Sequence, residues 1–323
     1  MIKLARRGAV ACFVLGLCWV VIGGAWSETT KTIHVVVPFP AGGAMDFLAR
    51  VLADEIEKTH GAKMLIENRP GAGTVIATEA VARAPADGST VLMPANSFVI
   101  NAHLRHLNYD PLTSFEPVCF LVRSPTIFVV NSASPNRTLA EFVEAARAKP
   151  GELTIAAVGP ATSFHIAVET FKRAANLNIT YVPYPGGAAS TTALMGGHVA
   201  SAYANYVEII EHLKAGKLRA LATGLRSRVE LLPDLPTAAE AGYDSLSAEN
   251  WFAVVAPAKT PQATLSELIG MYTAALRAPE VKAKLAVQGL VPVAMCGTDF
   301  AAHLRAEFDR YGRAMREANI KAQ

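Results

Sequence analysis

Residues 33–56 constrain the fold most strongly, because they read as a buried strand, a glycine turn and a helix in immediate succession. Residues 35–37 are three consecutive valines, a run typical of a strand that is covered on both faces. Pro38 and Pro40 cannot donate to a sheet, so the strand must end there. The glycines at 42–43 then permit a turn. Apolar residues follow with helical spacing at Phe47, Leu48, Val51, Leu52 and Ile56.

This unit predicts an anion-binding site at the start of the helix. The first backbone N–H groups of a helix have no partner within the helix, and its dipole is positive at that end, so both favour a carboxylate or phosphate. The alternative is that the glycines only shape a tight turn. Asp46 would lie in the first helical turn, where it either caps the helix, or holds the loop or receives an ammonium or hydroxyl group of a ligand. The candidate contacts here are Phe39, Pro40, Ala41, Gly42, Gly43 and Asp46.

The same order of elements returns in the middle of the chain. Residues 153–158 form a predicted strand, residues 159–163 a turn, and the residues after them a helix. The hydroxyls of this turn can cap the helix or donate to a ligand. We take Gly159, Thr162, Ser163 and His165 as candidate contacts. Ligands of open α/β sheets bind at the carboxyl ends of strands, which adds Asn96, Ser97, Tyr184, Gly186 and Asn205.

Strands alternate with helices along the chain, which predicts an α/β protein with mostly parallel sheets flanked by helices. Two apolar runs on either side of Pro125 indicate that the chain passes there from one lobe to the other, and residues 248–257 indicate where it passes back. We therefore expect one lobe from residues 28–124 and 250–323 and a second from residues 125–249, with a ligand cleft between them.

Residues 1–27 read as a signal peptide, with Lys3, Arg6 and Arg7 before an apolar run. A lipoprotein is the alternative, but Leu17 is too large for the position before Cys18. Cleavage would remove these three basic residues and no acidic one, so the formal charge of +3 would fall to zero. The sequence therefore gives no electrostatic case for nucleic acid or an anionic membrane as partner. The composition, 51% hydrophobic and 18% charged, suits a folded domain.

Other site chemistries have weaker support. Cys119 and Cys296 would remain after cleavage, and they either pair in an oxidising compartment or stay as buried thiols. Residues 71–76 begin like a dinucleotide-binding loop, but Ile76 stands where the last glycine belongs. The eight histidines are scattered without metal-ligand spacing. We expect no cofactor and no metal.

Short motifs along the chain resemble the tripartite tricarboxylate transporter substrate-binding (Bug/TctC) family of periplasmic solute receptors. In chain order they are VPFPAGGAMD (37–46), ENRPGAG (67–73), ADG (86–88), YVPY with Gly186 (181–186), AGKLRAL (215–221), LPT with EAG (235–242), and WF leading to AP (251–257). Together they cover nearly all of the chain after the signal segment. No single motif is diagnostic, but their common order is specific.

The resemblance implies a type II periplasmic binding-protein fold and a monomeric receptor. It would bind a di- or tricarboxylate, an aromatic carboxylate or an amino acid and deliver it to membrane transporter subunits. A solute-sensing partner of a signalling protein would use the same cleft, and a hydrolytic enzyme is a more remote alternative, since no Gly-x-Ser-x-Gly motif is present. The chain departs from the family pattern at residues 200–205, at Pro160 and at Pro185, which weakens any transfer of a particular substrate.

Overall fold

A computed structural model of the chain describes residues 31–317 and 319–320. The predicted signal segment lies outside these residues. The strands are β1 (Thr32–Val37), β2 (Lys63–Asn68), β3 (Thr90–Leu92), β4 (Phe115–Ser124), β5 (Thr126–Asn131), β6 (Thr154–Val158), β7 (Thr180–Tyr184), β8 (Ser201–Asn205), β9 (Leu218–Thr223), β10 (Asn250–Pro257) and β11 (Val291–Cys296).

The helices flank two sheets. They are α1 (Ala44–His60), α2 (Val75–Ala82), α3 (Ser97–Leu104), α4 (Leu139–Ala148), α5 (Ser163–Ala174), α6 (Gly187–Met195), α7 (Tyr206–Lys214), α8 (Gln262–Arg277), α9 (Pro279–Val287) and α10 (Gly297–Glu317). The α/β fold with two sheets and flanking helices is thus confirmed. Four of these elements, α3, α7, α9 and β11, are not predicted by the sequence patterns above.

The first sheet has the strand order β11-β4-β10-β3-β1-β2. Strand β1 lies between β2 and β3 and runs parallel to both, so Val35 is paired with Ile66 on one side and Val91 on the other. Because β1 and β3 are parallel, their carboxyl ends meet at one edge, where α1 and α3 begin. The apolar face of α1 packs on this sheet through Leu48, Leu52 and Ile56.

The second sheet has the order β7-β6-β8-β5-β9. Strand β6 is parallel to β7 and β8, so the carboxyl ends of these three strands also meet at one edge, followed by α5, α6 and α7. Its core includes Phe128, Phe142 and Phe171, all fully buried. Each sheet therefore presents a row of helix N-termini at one edge.

Four of the six strands in the first sheet and four of the five in the second run in one direction, and each sheet also contains antiparallel pairs. Strand β10 pairs antiparallel with β3 and β4, and β5 pairs antiparallel with β8 and β9. The reason lies in the connections: β4 and β10 carry the chain out of the first sheet and back into it, so they run in opposite directions. The described residues after 30 cluster as one compact unit. The division into lobes at residues 124/125 and 249/250 stays a prediction.

A disulfide joins Cys119 to Cys296, which resolves the question that the sequence left open. Cys119 lies in β4 and Cys296 ends β11, and the two residues are direct neighbours across the antiparallel pair. Their Cα atoms are 4.0 Å apart. The bridge fastens the edge strand β11 to the sheet.

Candidate functional site

A cavity of about 270 Å³ lies where the rows of helix N-termini from the two sheets face each other. Its volume is near the ~300 Å³ lower end of ordinary ligand pockets, a size that suits a small metabolite. Its lining residues are Phe39, Pro40, Ala41, Gly43, Ala44, Met45, Ala95, Asn96, Ser97, Val158, Thr162, Ser163, Phe164, Pro185, Gly186, Gly187, Ala188, Ala189, Asn205, Glu208, Asn250 and Phe252.

The cavity is surrounded by the starts of five helices. The residues that immediately precede α1, α3, α5, α6 and α7 all line it, and these are Gly43, Asn96, Thr162, Gly186 and Asn205. Each helix N-terminus has the effect of about half a positive charge. No Lys, Arg or His belongs to the lining among the residues that the structure describes. Backbone amides and dipoles therefore supply the positive potential of the cavity.

The first loop is held in shape by Asp46. The backbone N–H of Gly42 donates to Asp46 Oδ2 at 3.0 Å, and the Arg50 guanidinium donates to both carboxylate oxygens, also at 3.0 Å. Gly42 has φ +83°, a left-handed conformation that favours glycine. Burial acts to raise the pKa of Asp46, but the hydrogen bonds from Arg50 and Gly42 outweigh it and hold that pKa below its usual value. Asp46 therefore holds the loop before α1, one of the roles that the sequence allows, and neither Asp46 nor Gly42 lines the cavity.

In the turn that leads into α5, the hydroxyls of Thr162 and Ser163 have different contacts. Thr162 caps α5: its Oγ1 accepts from the His165 amide at 3.3 Å and lies 3.1 and 3.0 Å from the carbonyl oxygens of Val158 and Gly159. Ser163 lines the cavity and is only 2% exposed. Within the described part of the chain, its Oγ has no hydrogen-bond partner. Buried hydroxyls are normally paired, so this unpaired hydroxyl keeps Ser163 as a candidate ligand contact.

Asn96 and Asn205 line the cavity, but their side chains also hold the fold. Asn96 Nδ2 donates to Tyr311 Oη at 2.9 Å and to the Glu249 carbonyl at 3.1 Å, and its Oδ1 accepts from the Trp251 amide at 3.1 Å. Asn205 Oδ1 accepts from Asn250 Nδ2 at 2.8 Å. Ser97, the first residue of α3, accepts from Thr74 Oγ1 at 3.1 Å.

Three further predicted contacts lie outside this cavity. Gly159 and Tyr184 line an adjoining cavity of about 400 Å³, which shares Phe39 and Thr162 with the first. The His165 ring packs on Tyr181, with ring centroids 4.9 Å apart, and burial lowers its pKa. His165 is therefore a neutral packing residue at neutral pH. Of the predicted contacts, Phe39, Pro40, Ala41, Gly43, Asn96, Ser97, Thr162, Ser163, Gly186 and Asn205 line the first cavity.

Among the lining residues that the sequence motifs do not single out, Glu208 is the one with an ionisable side chain in the described part of the chain. It lies in the first turn of α7, and its Oε2 accepts from the Asn205 backbone amide at 3.1 Å. Burial raises the pKa of Glu208, while the side-chain and backbone amides of Asn205 and the backbone amide of Ala44 act in the opposite direction. The order Asn-x-x-Glu at 205–208 is a capping-box pattern that predicts this helix start. Its orientation towards α1 follows only from the packing of the two sheets.

The described residues contain no group of three or more His, Cys, Asp or Glu side chains placed to hold a metal ion. Among the same residues, no helix has the length and apolar character needed to cross a bilayer.

Comparison with known families gives a match over residues 48–320 to the family described as tripartite tricarboxylate transporter family receptor, TctC. A similar chain is protein BugT of Bordetella pertussis, which is 32% identical over 90% of this chain and 90% of its own. The match thus spans almost the whole of both proteins.

Two solved structures with bound ligands are also similar. Rpa4515 of R. palustris, solved with adipate, has a TM-score of 0.87 and 32% identity, covering 92% of this chain and 100% of that one. MatC of Rhodopseudomonas palustris, solved with malate, has a TM-score of 0.81 and 28% identity, covering 88% and 99%. The two-sheet architecture described above is the architecture of these proteins.

Proposed function

Since the chain belongs to the tripartite tricarboxylate transporter receptor family, we propose that it is a periplasmic receptor which binds a small carboxylate in the cavity between its two sheets. In this proposal the N-terminal segment directs export, the receptor is a monomer, and its partner is a membrane transporter of the tripartite tricarboxylate type. The receptor releases its ligand to that transporter chemically unchanged.

The observation that carries the proposal is the unpaired Ser163 hydroxyl beside the converging helix N-termini. Ser163 Oγ is buried in the cavity wall without a protein partner. A hydroxyl can donate to a carboxylate oxygen, and the first backbone amides of α5, the helix that Ser163 begins, offer further donors to the same group. A bound carboxylate would thus accept hydrogen bonds from this hydroxyl and from these helix N-terminal amides. The two related structures described above contain adipate and malate, both of which are carboxylates.

The arrangement does not favour a hydrolytic enzyme. A serine nucleophile needs a base within hydrogen-bond reach, whereas Ser163 Oγ has no such partner in the described residues. His165 packs on Tyr181 and does not line the cavity. The geometry supports binding without chemical change.

The proposal can be tested with the purified protein in two steps. Native mass spectrometry of freshly purified protein should reveal a co-purified acid, and calorimetry should then measure its affinity. The bound acid should be recovered unchanged after long incubation. Recovery of a chemically altered product, or the absence of binding across a panel of mono-, di- and tricarboxylates and amino acids, would contradict the proposal.

A substitution in the cavity wall locates the site. Gly43→Val would place a branched side chain in the cavity, where a Cβ would lie 3.7 Å from Glu208 Oε1. We expect affinity to fall by more than about tenfold, equivalent to roughly 1.4 kcal/mol. Gly270→Val is the matched control, because Gly270 lies exposed on α8 with no atom near its Cβ position. If the Gly43→Val protein binds the acid with the same affinity as the wild-type protein, the ligand does not bind in this cavity.

A further inference from the structure

Glu208 is the one ionisable side chain in the cavity wall as the structure describes it. Its carboxyl group lies directly against Gly187, the first residue of α6, so closely that a Cβ at Gly187 would overlap it. On the other side it faces Gly43 and the Ala44 amide at the start of α1. The carboxyl group of Glu208 therefore lies beside the N-termini of α6 and α1.

This position matters for the charge that a ligand can bring. The amides near Ala44 and Gly187 are donors that would otherwise be open to a ligand carboxylate. The Glu208 carboxyl group occupies the space beside both helix starts, and no basic side chain lines the cavity to balance a further negative charge there. A second ligand carboxylate at this end would meet a like charge at short range unless Glu208 took up a proton, whereas a ligand ammonium group would stabilise the ionised form of Glu208. A hydrogen-bond donor on the ligand would meet an acceptor.

Resting on the function proposed above, we infer that Glu208 determines specificity: the receptor selects amino-carboxylates, with the ligand carboxylate near Ser163 and the ligand amino group facing Glu208. Dicarboxylates without an amino group are rejected by the carboxylate of Glu208. This distinguishes the chain from its relatives Rpa4515 and MatC, which were solved with adipate and malate.

The test uses four probes of equal carbon number: succinate, butanoate, 2-aminobutanoate and 4-aminobutanoate. Calorimetry at pH 7.5 compares the wild-type protein with Glu208→Gln, which keeps the shape and removes the charge, and with Glu208→Ser, which opens the amides. For the wild-type protein we expect at least one aminobutanoate to bind at least tenfold more tightly than both butanoate and succinate. In the two variants this preference over succinate should fall by at least tenfold.

Glu211→Gln is the control variant, since Glu211 lies on the same helix and is exposed. It should leave all four affinities unchanged, and thermal melting verifies that each variant is folded. Wild-type protein that binds succinate at least as tightly as the more tightly bound aminobutanoate would overturn the inference while leaving the proposed receptor function intact. A preference for an aminobutanoate over succinate that persists in both Glu208 variants would also overturn the inference. If neither the wild-type protein nor a variant binds any carboxylate in a broad panel, the receptor function fails and the inference fails with it.

Discussion

The side-chain oxygen of Asn205 accepts a hydrogen bond from the side-chain amide of Asn250 at 2.8 Å, and this bond ties the end of β8 to the start of β10. The same oxygen accepts from Ser124 Oγ at 3.0 Å, at the end of β4. Asn205 thus joins both strands that carry the chain between the sheets. All three side chains are buried.

Replacing Asn205 by Ala should therefore destabilise the fold. The substitution leaves the buried donors of Ser124 and Asn250 without their acceptor, which costs about 1 to 3 kcal/mol in the free energy of unfolding. Urea denaturation measures this loss. Asn108→Ala is the control, because Asn108 is exposed, and it should change stability by less than about 0.5 kcal/mol. An Asn205→Ala protein as stable as the control would show that the three-residue contact has no structural role.

Much of the site could be predicted from the sequence because it is built from local signals. A buried strand, a turn residue and a helix start are adjacent in the chain, and the residues that precede α1, α3, α5, α6 and α7 were all among the expected contacts. Their convergence on one cavity follows from the rule that parallel strands end at one edge. The fold class was predictable for the same reason, since strands and helices alternate.

What could not be predicted depends on long-range packing. Glu208 follows Asn205 in a recognisable capping pattern, but its approach to Ala44 requires the two sheets to face each other. Strand β11 joins the edge of the sheet through antiparallel pairing with β4. The hydrophobic periodicity of the local sequence does not predict this pairing.

The stability contributed by Asp46 should depend on pH. Its pKa is lowered in the folded protein from an ordinary value of 3.8, because the hydrogen bonds from Arg50 and Gly42 outweigh the opposing effect of burial. A lowered pKa contributes stability that is present above 3.8 and is lost as pH falls through the folded-state pKa. Asp46→Asn should therefore be less stable than wild type at pH 6, and the difference should shrink in acid. Asp54→Asn, an exposed site on the same helix, should show no such trend.

Glu208 should show the opposite dependence. Burial raises its pKa above the ordinary value of 4.5, so the folded state holds the proton more tightly than the unfolded state. Stability is then lost as pH rises from 4.5 through the folded-state pKa. Glu208→Gln carries no such penalty, so its stability relative to wild type should increase over this range in urea denaturation. A constant difference from pH 4 to pH 8 would contradict the raised pKa.

The disulfide between Cys119 and Cys296 should stabilise the protein substantially. It joins residues 177 positions apart, and closing a long loop restricts the unfolded chain, an effect typically of about 2 to 4 kcal/mol. Reductant should lower the free energy of unfolding of the wild-type protein by this amount. The double variant Cys119→Ala/Cys296→Ala should not respond to reductant. Wild-type stability that is equal with and without reductant would argue against a structural role for the bridge.

The hydroxyls of Thr162 and Ser163 separate helix capping from ligand binding within one turn. Thr162 caps α5 through the His165 amide, so Thr162→Ala should lower the free energy of unfolding by about 0.5 to 2 kcal/mol. Ser163 Oγ has no partner in the described residues, so Ser163→Ala should leave stability unchanged. The two variants are natural controls for each other.

The most direct test of carboxylate binding in this cavity is calorimetric titration of wild type, Thr162→Ala and Ser163→Ala with the acid that co-purifies with the protein. Loss of a hydrogen bond to a charged group typically costs about 1.5 to 3 kcal/mol. We therefore predict that Ser163→Ala binds at least tenfold more weakly than wild type with an unchanged melting temperature, while Thr162→Ala loses mainly stability. If Ser163→Ala binds as tightly as wild type, the unpaired hydroxyl is not a ligand contact, and the account of this site is contradicted.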